Sequence, residues 1–397
     1  MGTLKLGLEF KKHHMKNTII FILLFSPFIV FCQNLTNNTN ITITKTWSQE
    51  PSGWTYPIAI DVPNTPVPQG GFPICIALHG NGGNGNNSLN QFKNILDCHI
   101  VVAPSGYMNS WNISDENSEA PDVEMITDLI NQLQTYSNIN PNKIRIAGTS
   151  NGAALANRIL IENNNSGIDI ICAIVSQLSE CNYHNNNFHS PSAATGGGAP
   201  DCGYDIVQTP LSGRKHLSIC NSNDPLIPYQ GGASVGVVFL DAQLSTYIIA
   251  KSQGYQGSQL TGGGNPIGSG PTVAFEYSYL SDQVVHLKGN ANHGLNNTLS
   301  TYIHDYFEVS CSSTSIDENL NQNISISPNP GNGQIKIKGI EKLQEADKII
   351  IYNSSGIQEF KKKNNSEFID ISKLKSGIYF LSIHHSNGVE TIKFIKK

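Results

Sequence analysis

Short, unbroken apolar runs alternate with stretches of helical spacing along most of this chain. Phe72–Leu78 (FPICIAL) and Ile100–Pro104 (IVVAP) are continuous runs, as expected of central strands covered on both faces. Thr55–Val62, Lys143–Ala147, Ile168–Val175, His216–Cys220 and Val284–Lys288 read as further strands. Asp122–Tyr136 has helical spacing, with Val123, Ile126, Leu129, Ile130 and Leu133 on one face and Asp122 near the N-cap. Ala153–Glu162, Leu240–Lys251 and Asn297–Phe307 read as helices as well. Short strands interleaved with helices predict an α/β protein, with a mostly parallel sheet covered by helices on both faces.

Both ends depart from this pattern. At the N-terminus, Lys11, Lys12 and Lys16 precede an apolar run from Ile19 to Cys32 that is too short to span a bilayer comfortably. Residues 1–33 therefore read as a signal peptide, with Met15 as an alternative start. Phe31 is too bulky for the small residue that a lipoprotein cleavage site wants before its cysteine, which disfavours a lipid anchor on Cys32. No other segment could span a membrane. At the other end, 312–324 is polar and aperiodic, as a linker is. From 325 to 397, short alternating strands punctuated by Pro328-Asn329-Pro330-Gly331 predict a small all-β sandwich. The long α/β segment then runs over 34–311.

Charge follows the same division. The net charge of −5 arises from +3 over 1–33, −13 over 34–324 and +5 over 325–397. An acidic central segment argues against nucleic acid and other polyanions as partners, and fits a neutral substrate. Of eight cysteines, seven remain after the leader, so at least one is unpaired. Cys75, Cys172 and Cys220 sit inside apolar runs as small hydrophobes. Cys181 and Cys202 bracket a polar loop and are the best disulfide candidates in an exported chain. No CxxC pair suggests zinc, and His184, His189 and Asp201 fit no standard metal spacing, so neither a metal nor a cofactor is expected.

The chemistry centres on Gly148-Thr149-Ser150-Asn151-Gly152, which joins the Lys143–Ala147 strand to the following helix. Gly-x-Ser-x-Gly at a strand-to-helix junction is the form of a nucleophile elbow. A serine hydroxyl needs a base, and the base needs an acid to hold its tautomer. Asp224 follows the His216–Cys220 strand and His293 follows Val284–Lys288, in the order expected downstream of such a serine. Upstream, His79-Gly80-Asn81-Gly82-Gly83 follows FPICIAL and has the character of an oxyanion loop. The main-chain N–H groups of Asn81 and Asn151 are the expected donors.

With these pieces, residues from about 54 to 307 resemble secreted esterases of the polyhydroxybutyrate depolymerase and feruloyl esterase type. The matching segments are IALHGNGGNGNN, VVAPSGYMNSWN, PDVEMITDLINQL, INPNKIRIAGTSNGAALANRI, SNDPLIPYQGG and GNANHGLN. The resemblance implies an α/β-hydrolase fold and ester hydrolysis through an acyl-enzyme, with Ser150 as nucleophile, His293 as general base and Asp224 as its orienting acid. It also places Trp111, and less directly Tyr107 and Met108, near the site as substrate contacts. Where that family carries Gly-Gly-Gly-His followed by Thr-Trp-Pro-Gly, this chain has Asn290-Ala291-Asn292-His293-Gly294-Leu295. The Asn182–Gly213 segment is longer and more polar than expected and reads as a flap near the site.

The tail resembles the C-terminal sorting domain of type IX secretion, carried by SISPNPGNG, KIIIYNSSG, IDISKLKSGIYFLSI and the basic end KFIKK. That implies the secretion machinery as a partner and a location outside the cell or on its surface. The expected activity is hydrolysis of a neutral ester: feruloyl or acetyl esters of plant polysaccharide, or a polyhydroxyalkanoate-type polyester. A catalytically inactive glycan-binding protein on the same scaffold and a serine peptidase are the alternatives.

Overall fold

A computed structural model describes residues 33–114, 116–192, 200–307, 325–339, 346–354, 357–363, 367–385 and 388–397. The leader read over 1–33, apart from Gln33, and the linker read over 312–324 lie outside the described residues.

A nine-stranded sheet organises the α/β segment. Its strands are β1 (Ile58–Asp61), β2 (Phe72–Leu78), β3 (Ile100–Pro104), β4 (Ile139–Thr149), β5 (Ile168–Ile174), β6 (Lys215–Asn221), β7 (Asn265–Ile267), β8 (Ala274–Tyr279) and β9 (Val284–Gly289). Their spatial order is β7-β8-β9-β6-β5-β4-β2-β3-β1. The six strands from β9 to β3 are parallel, and β1, β8 and β7 pair antiparallel at the two edges. Alternate residues of one strand feed opposite cores. Ile74, Ile76 and Leu78 join the cluster containing Leu129, Leu155 and Ile159, while Cys75 and Ala77 join the one containing Phe92, Leu299 and Ile303. Helices cover both faces. On the first lie α2 (Asp122–Leu133), α3 (Asn151–Glu162) and α4 (Ala242–Ser252); on the second lie α1 (Gly85–Phe92) and α5 (Asn297–Tyr306). Burial on both faces is why the central strands are apolar throughout rather than alternating.

Several expectations need correction. The strand expected over Thr55–Val62 is divided: Glu50–Thr55 pairs with Thr44–Trp47, and β1 begins only at Ile58. Pro57 separates them, since it has no N–H to give to a ladder. Asp122 lies next to the N-cap as expected, as the first residue of α2 after Pro121. Its buried carboxylate accepts the Tyr56 hydroxyl (3.1 Å) and the Asn112 N–H (2.8 Å). Helix α1 and the edge strands β7 and β8 are not among the elements read from the sequence. Helix α1 starts from a reciprocal cap between Asn84 and Asn87.

The Asn182–Gly213 segment forms strands Tyr183–His184, Asn187–Pro191 and Tyr204–Gln208 of a small antiparallel sheet. The Cys181–Cys202 disulfide is formed and closes it. Cys75, Cys172 and Cys220 are free and buried, and Cys98 is disulfide-bonded.

The 325–397 segment is all-β. Ser325–Ser327, Gln334–Lys338 and Phe368–Asp370 form one sheet; Gln358–Lys363, Ala346–Asn353, Gly377–His385 and Gly388–Lys396 form the other. Ile335, Ile337, Ile349, Ile351, Leu381 and Phe394 share its core. No described helix is long and apolar enough to cross a membrane.

Two fully buried histidines lie on neighbouring strands, His216 on β6 and His286 on β9. Tyr229 Oη lies 2.8 Å from His286 Nε2. Burial pushes both imidazoles down to about 3 from an ordinary 6.5. The unfolded chain therefore binds protons that the folded chain refuses between pH 6.5 and about 3, so stability falls as the pH falls through that window. Each histidine accounts for about 1.4 kcal/mol per pH unit there. Thermal melts should show a steadily falling Tm on acidification below pH 6.5, less steep in His286→Gln; a Tm independent of pH across that range would contradict this account.

Candidate active site

The ends of four parallel strands deliver four loops to one edge of the sheet. The loop after β2 carries His79–Gly83, the turn after β4 carries Ser150, the loop after β6 carries Asp224, and the loop after β9 carries His293. Crevices at the carboxyl ends of parallel strands are where α/β sheets bind ligands.

Ser150 sits in a turn so tight that its φ is 57° and ψ −119°. Close packing holds it there. A Cβ on Gly148 would lie 2.0 Å from the Gly152 oxygen, and one on Gly152 would lie 2.4 Å from the Leu78 oxygen. The Ser150 N–H donates to Ile174 O (2.8 Å), and the Ser150 carbonyl accepts the first bonds of α3 from Ala153 (2.8 Å) and Ala154 (3.1 Å).

Ser150 Oγ lies 2.8 Å from His293 Nε2, and His293 Nδ1 lies 2.8 Å from Asp224 Oδ2. The Asp224 side chain is 1% exposed, and its Oδ1 accepts the N–H groups of Leu226 (2.8 Å) and Ile227 (3.0 Å). A carboxylate only accepts, so the imidazole proton sits on Nδ1 and Nε2 is left to accept the serine hydroxyl. Two asparagines beside Asp224 hold the histidine loop. Buried Asn221 donates from Nδ2 to Asn292 O (2.7 Å) and Gly294 O (2.9 Å), and its Oδ1 accepts the Ala291 N–H (3.1 Å). Asn223 donates to Asn290 O (2.9 Å) and accepts the Asn292 N–H (3.0 Å). The Asn-rich sequence around His293 is thus the mating half of the asparagines around Asp224.

The Asn81 and Asn151 main-chain N–H groups are given to no acceptor among the described residues, and both residues line the cavity beside Ser150. The neighbouring amides are engaged: Gly82 N–H donates to Asn109 O (2.8 Å) and Gly83 N–H to Gly80 O (3.0 Å). His79 fixes this loop from behind. Its Nε2 accepts the Gly106 N–H (2.9 Å), so its proton lies on Nδ1, which donates to Gly80 O (2.8 Å). Burial holds its pKa below the usual histidine range, which keeps it neutral.

Trp111 does not contact the cavity, contrary to expectation. It is fully buried; its indole N–H donates to His79 O (2.8 Å), and its ring lies 4.7 Å from the His79 imidazole. The Asn151 side chain bonds the Trp111 main chain on both sides, accepting its N–H (2.8 Å) and donating to its carbonyl (3.2 Å). An aromatic next to a Gly-rich strand end has the same sequence signature whether it meets a ligand or wedges the loop, and here it wedges. Tyr107 also turns away. Its hydroxyl donates to Glu50 (2.8 Å) and its ring packs edge-on against Trp47 and Trp54. The adjacent Met108 lines the cavity instead.

The cavity has a volume of about 430 Å³. Its wall includes Ser110, Ile113, Glu116, Gln177, Asn182 and Phe239. Val235 and Val237 of a hairpin (Gly232–Ser234 with Val237–Phe239) close one side. The sequence reading missed that hairpin. Its turn residues, Val235 and Gly236, both have positive φ (42° and 85°). Asn or Gly, not Val, usually marks such a turn. His184 and His189 stack on each other with ring centroids 3.7 Å apart. No group of three metal-ligating side chains is found among the described residues.

This topology, with its serine on a strand-to-helix elbow, defines an α/β-hydrolase fold. Residues 325–397 match the secretion system C-terminal sorting domain, which marks export by type IX secretion to the cell surface or beyond. No curated protein sequence matches the chain. Among solved structures, a Bacillus cereus carboxylesterase is similar at 12% identity and TM-score 0.41, covering 64% of this chain and 93% of its own. An acetyl xylan esterase from Aspergillus awamori is similar at 14% identity and TM-score 0.41, covering 64% and 94%. PorZ of Porphyromonas gingivalis, a surface component of the type IX secretion system, is similar over 21% of this chain and 13% of its own, at 15% identity and TM-score 0.17.

Removing the Asn221 side chain leaves three groups of the histidine loop unpaired. Asn221→Ala should cost about 1–3 kcal/mol of stability and slow the reaction of Ser150 with a fluorophosphonate. Melting curves and labelling rates check this; labelling at the wild-type rate would show that Asn221 does not position His293.

Proposed function

We propose that this protein is an exported serine carboxylesterase. The observation that carries the reading is the unbroken relay from Ser150 Oγ through His293 to Asp224, with 2.8 Å at each step, on a serine held at φ 57°. Ser150 Oγ attacks the ester carbonyl carbon while its proton passes to His293 Nε2. Asp224 stabilises the imidazolium that forms and holds its ring in place. The carbonyl oxygen becomes an oxyanion and accepts the N–H groups of Asn81 and Asn151; losing one such donor typically costs about 3–4 kcal/mol of barrier. Collapse of the intermediate breaks the bond to the alcohol, which leaves with the proton from His293 and so leaves an acyl-serine. Water then attacks with His293 again as base, releasing the acid and restoring the serine.

The acidic central segment favours a neutral ester. Export to the cell surface or beyond suits esters on plant polysaccharide, feruloyl or acetyl, or a polyhydroxyalkanoate-type polyester.

Hydrolysis of a short p-nitrophenyl ester tests the reading. Ser150→Ala should lower kcat by about ten-thousand-fold or more, and Asp224→Asn by about a thousand-fold or more. A Ser150→Ala protein that turns the ester over at the wild-type rate would refute the assignment.

A further inference from the structure

Glu116 lines the catalytic cavity and is half-buried there. Its Oε2 accepts the N–H groups of Ile113 (3.0 Å) and Ser114 (2.6 Å), and its Oε1 accepts the side-chain amide of Asn151 (3.1 Å). Asn151 directly follows the nucleophile, so this carboxylate is bonded to the neighbour of the reacting serine. All three partners are neutral donors. Only a carboxylate accepts at both ends, which is why Glu fits here and an amide would not. The staple leaves an unmatched charge beside the cavity. Among the described residues, no lysine or arginine lines it, and Glu116 is its only acid. Arg158, which donates to Asn112 O (2.6 Å) on the same loop, is paired with Glu162 (2.6 and 3.0 Å). The chemistry itself does not call for this charge. Attack by a serine builds negative charge on the carbonyl oxygen, and a nearby carboxylate opposes that.

We propose that Glu116 makes the cavity charge-selective. Esters with a positive group near the scissile bond are turned over best, uncharged ones next, and those carrying a carboxylate least. The selection acts on the acyl and the alcohol part alike, because a charge works at a distance and needs no contact. Like charges a few ångströms apart, in a site less polar than water, repel strongly enough to decide between substrates. This local effect is separate from the net charge of −13 over 34–324, which biases approach to the whole molecule. The proposal rests on the esterase reading above.

The test compares kcat/KM of the full-length protein for three acetate esters that share an aromatic ring and differ in charge. They are para-acetoxybenzoate (anion), para-acetoxybenzamide (neutral) and para-acetoxy-trimethylanilinium (cation). Each value is divided by the rate of hydroxide hydrolysis, which removes the difference in intrinsic reactivity. At low salt the wild type should favour the benzamide over the benzoate by about ten-fold or more, with the cation ahead of both. Raising the salt to about 1 M should shrink the spread, because it screens the charge. Glu116→Gln should bring the three values close together. A purely structural role for Glu116 would lower all three rates in that variant and leave their ratios alone. Ratios that persist in folded Glu116→Gln therefore overturn the proposal and assign the preference to the overall charge. Equal values in the wild type overturn it without any variant and leave the esterase standing. Failure to hydrolyse any of the three esters would overturn the esterase reading and this inference with it.

Discussion

The rest of the site depends on the backbone of Ser150. A non-glycine residue at φ 57° and ψ −119° is strained, at a cost of roughly 1–3 kcal/mol. The surrounding structure must impose it. The elbow is pressed between the end of β2 and the start of α3 closely enough that neither Gly148 nor Gly152 could carry a side chain. The same closeness sets the Asn151 N–H beside the loop that bears Asn81, and it aims Ser150 Oγ away from the sheet toward His293. Relaxing the turn would displace the Ser150 hydroxyl and the Asn151 N–H together.

Around that elbow the supporting contacts are polar and come largely from asparagines. Asn151 grips Trp111, Trp111 grips the carbonyl of His79, and His79 braces the loop of Asn81. On the other side, Asn221 and Asn223 hold the loop of His293. These amides both donate and accept, so each can replace the bonds that a loop without regular structure lacks. The loops of Asp224 and His293 are thereby held by side chains, since the pairing of β6 with β9 ends at Asn221 and Gly289.

Much of this was legible in the sequence. Continuous apolar runs marked β2 and β3 because both faces of a parallel strand are buried, and helical spacing marked α2. Gly-x-Ser-x-Gly, Asp224 and His293 could be read because each follows such a run in a fixed order. Other features could not be read. The polar helix α1 is started by an asparagine cap and not by an apolar stripe. The hairpin that closes the cavity turns on a valine in a conformation that valine rarely adopts. The roles of Trp111 and Tyr107 were misjudged because exposure decides between ligand contact and wedge, and exposure is a tertiary property.

The central claim is that Ser150 becomes covalently acylated during turnover. Rapid mixing of the protein with p-nitrophenyl acetate, followed by acid quench and peptide mass spectrometry, tests it directly. The account predicts a burst of one p-nitrophenolate per active chain and an acetyl group on the peptide that contains Ser150. An acetyl group trapped on a residue other than Ser150 would contradict it.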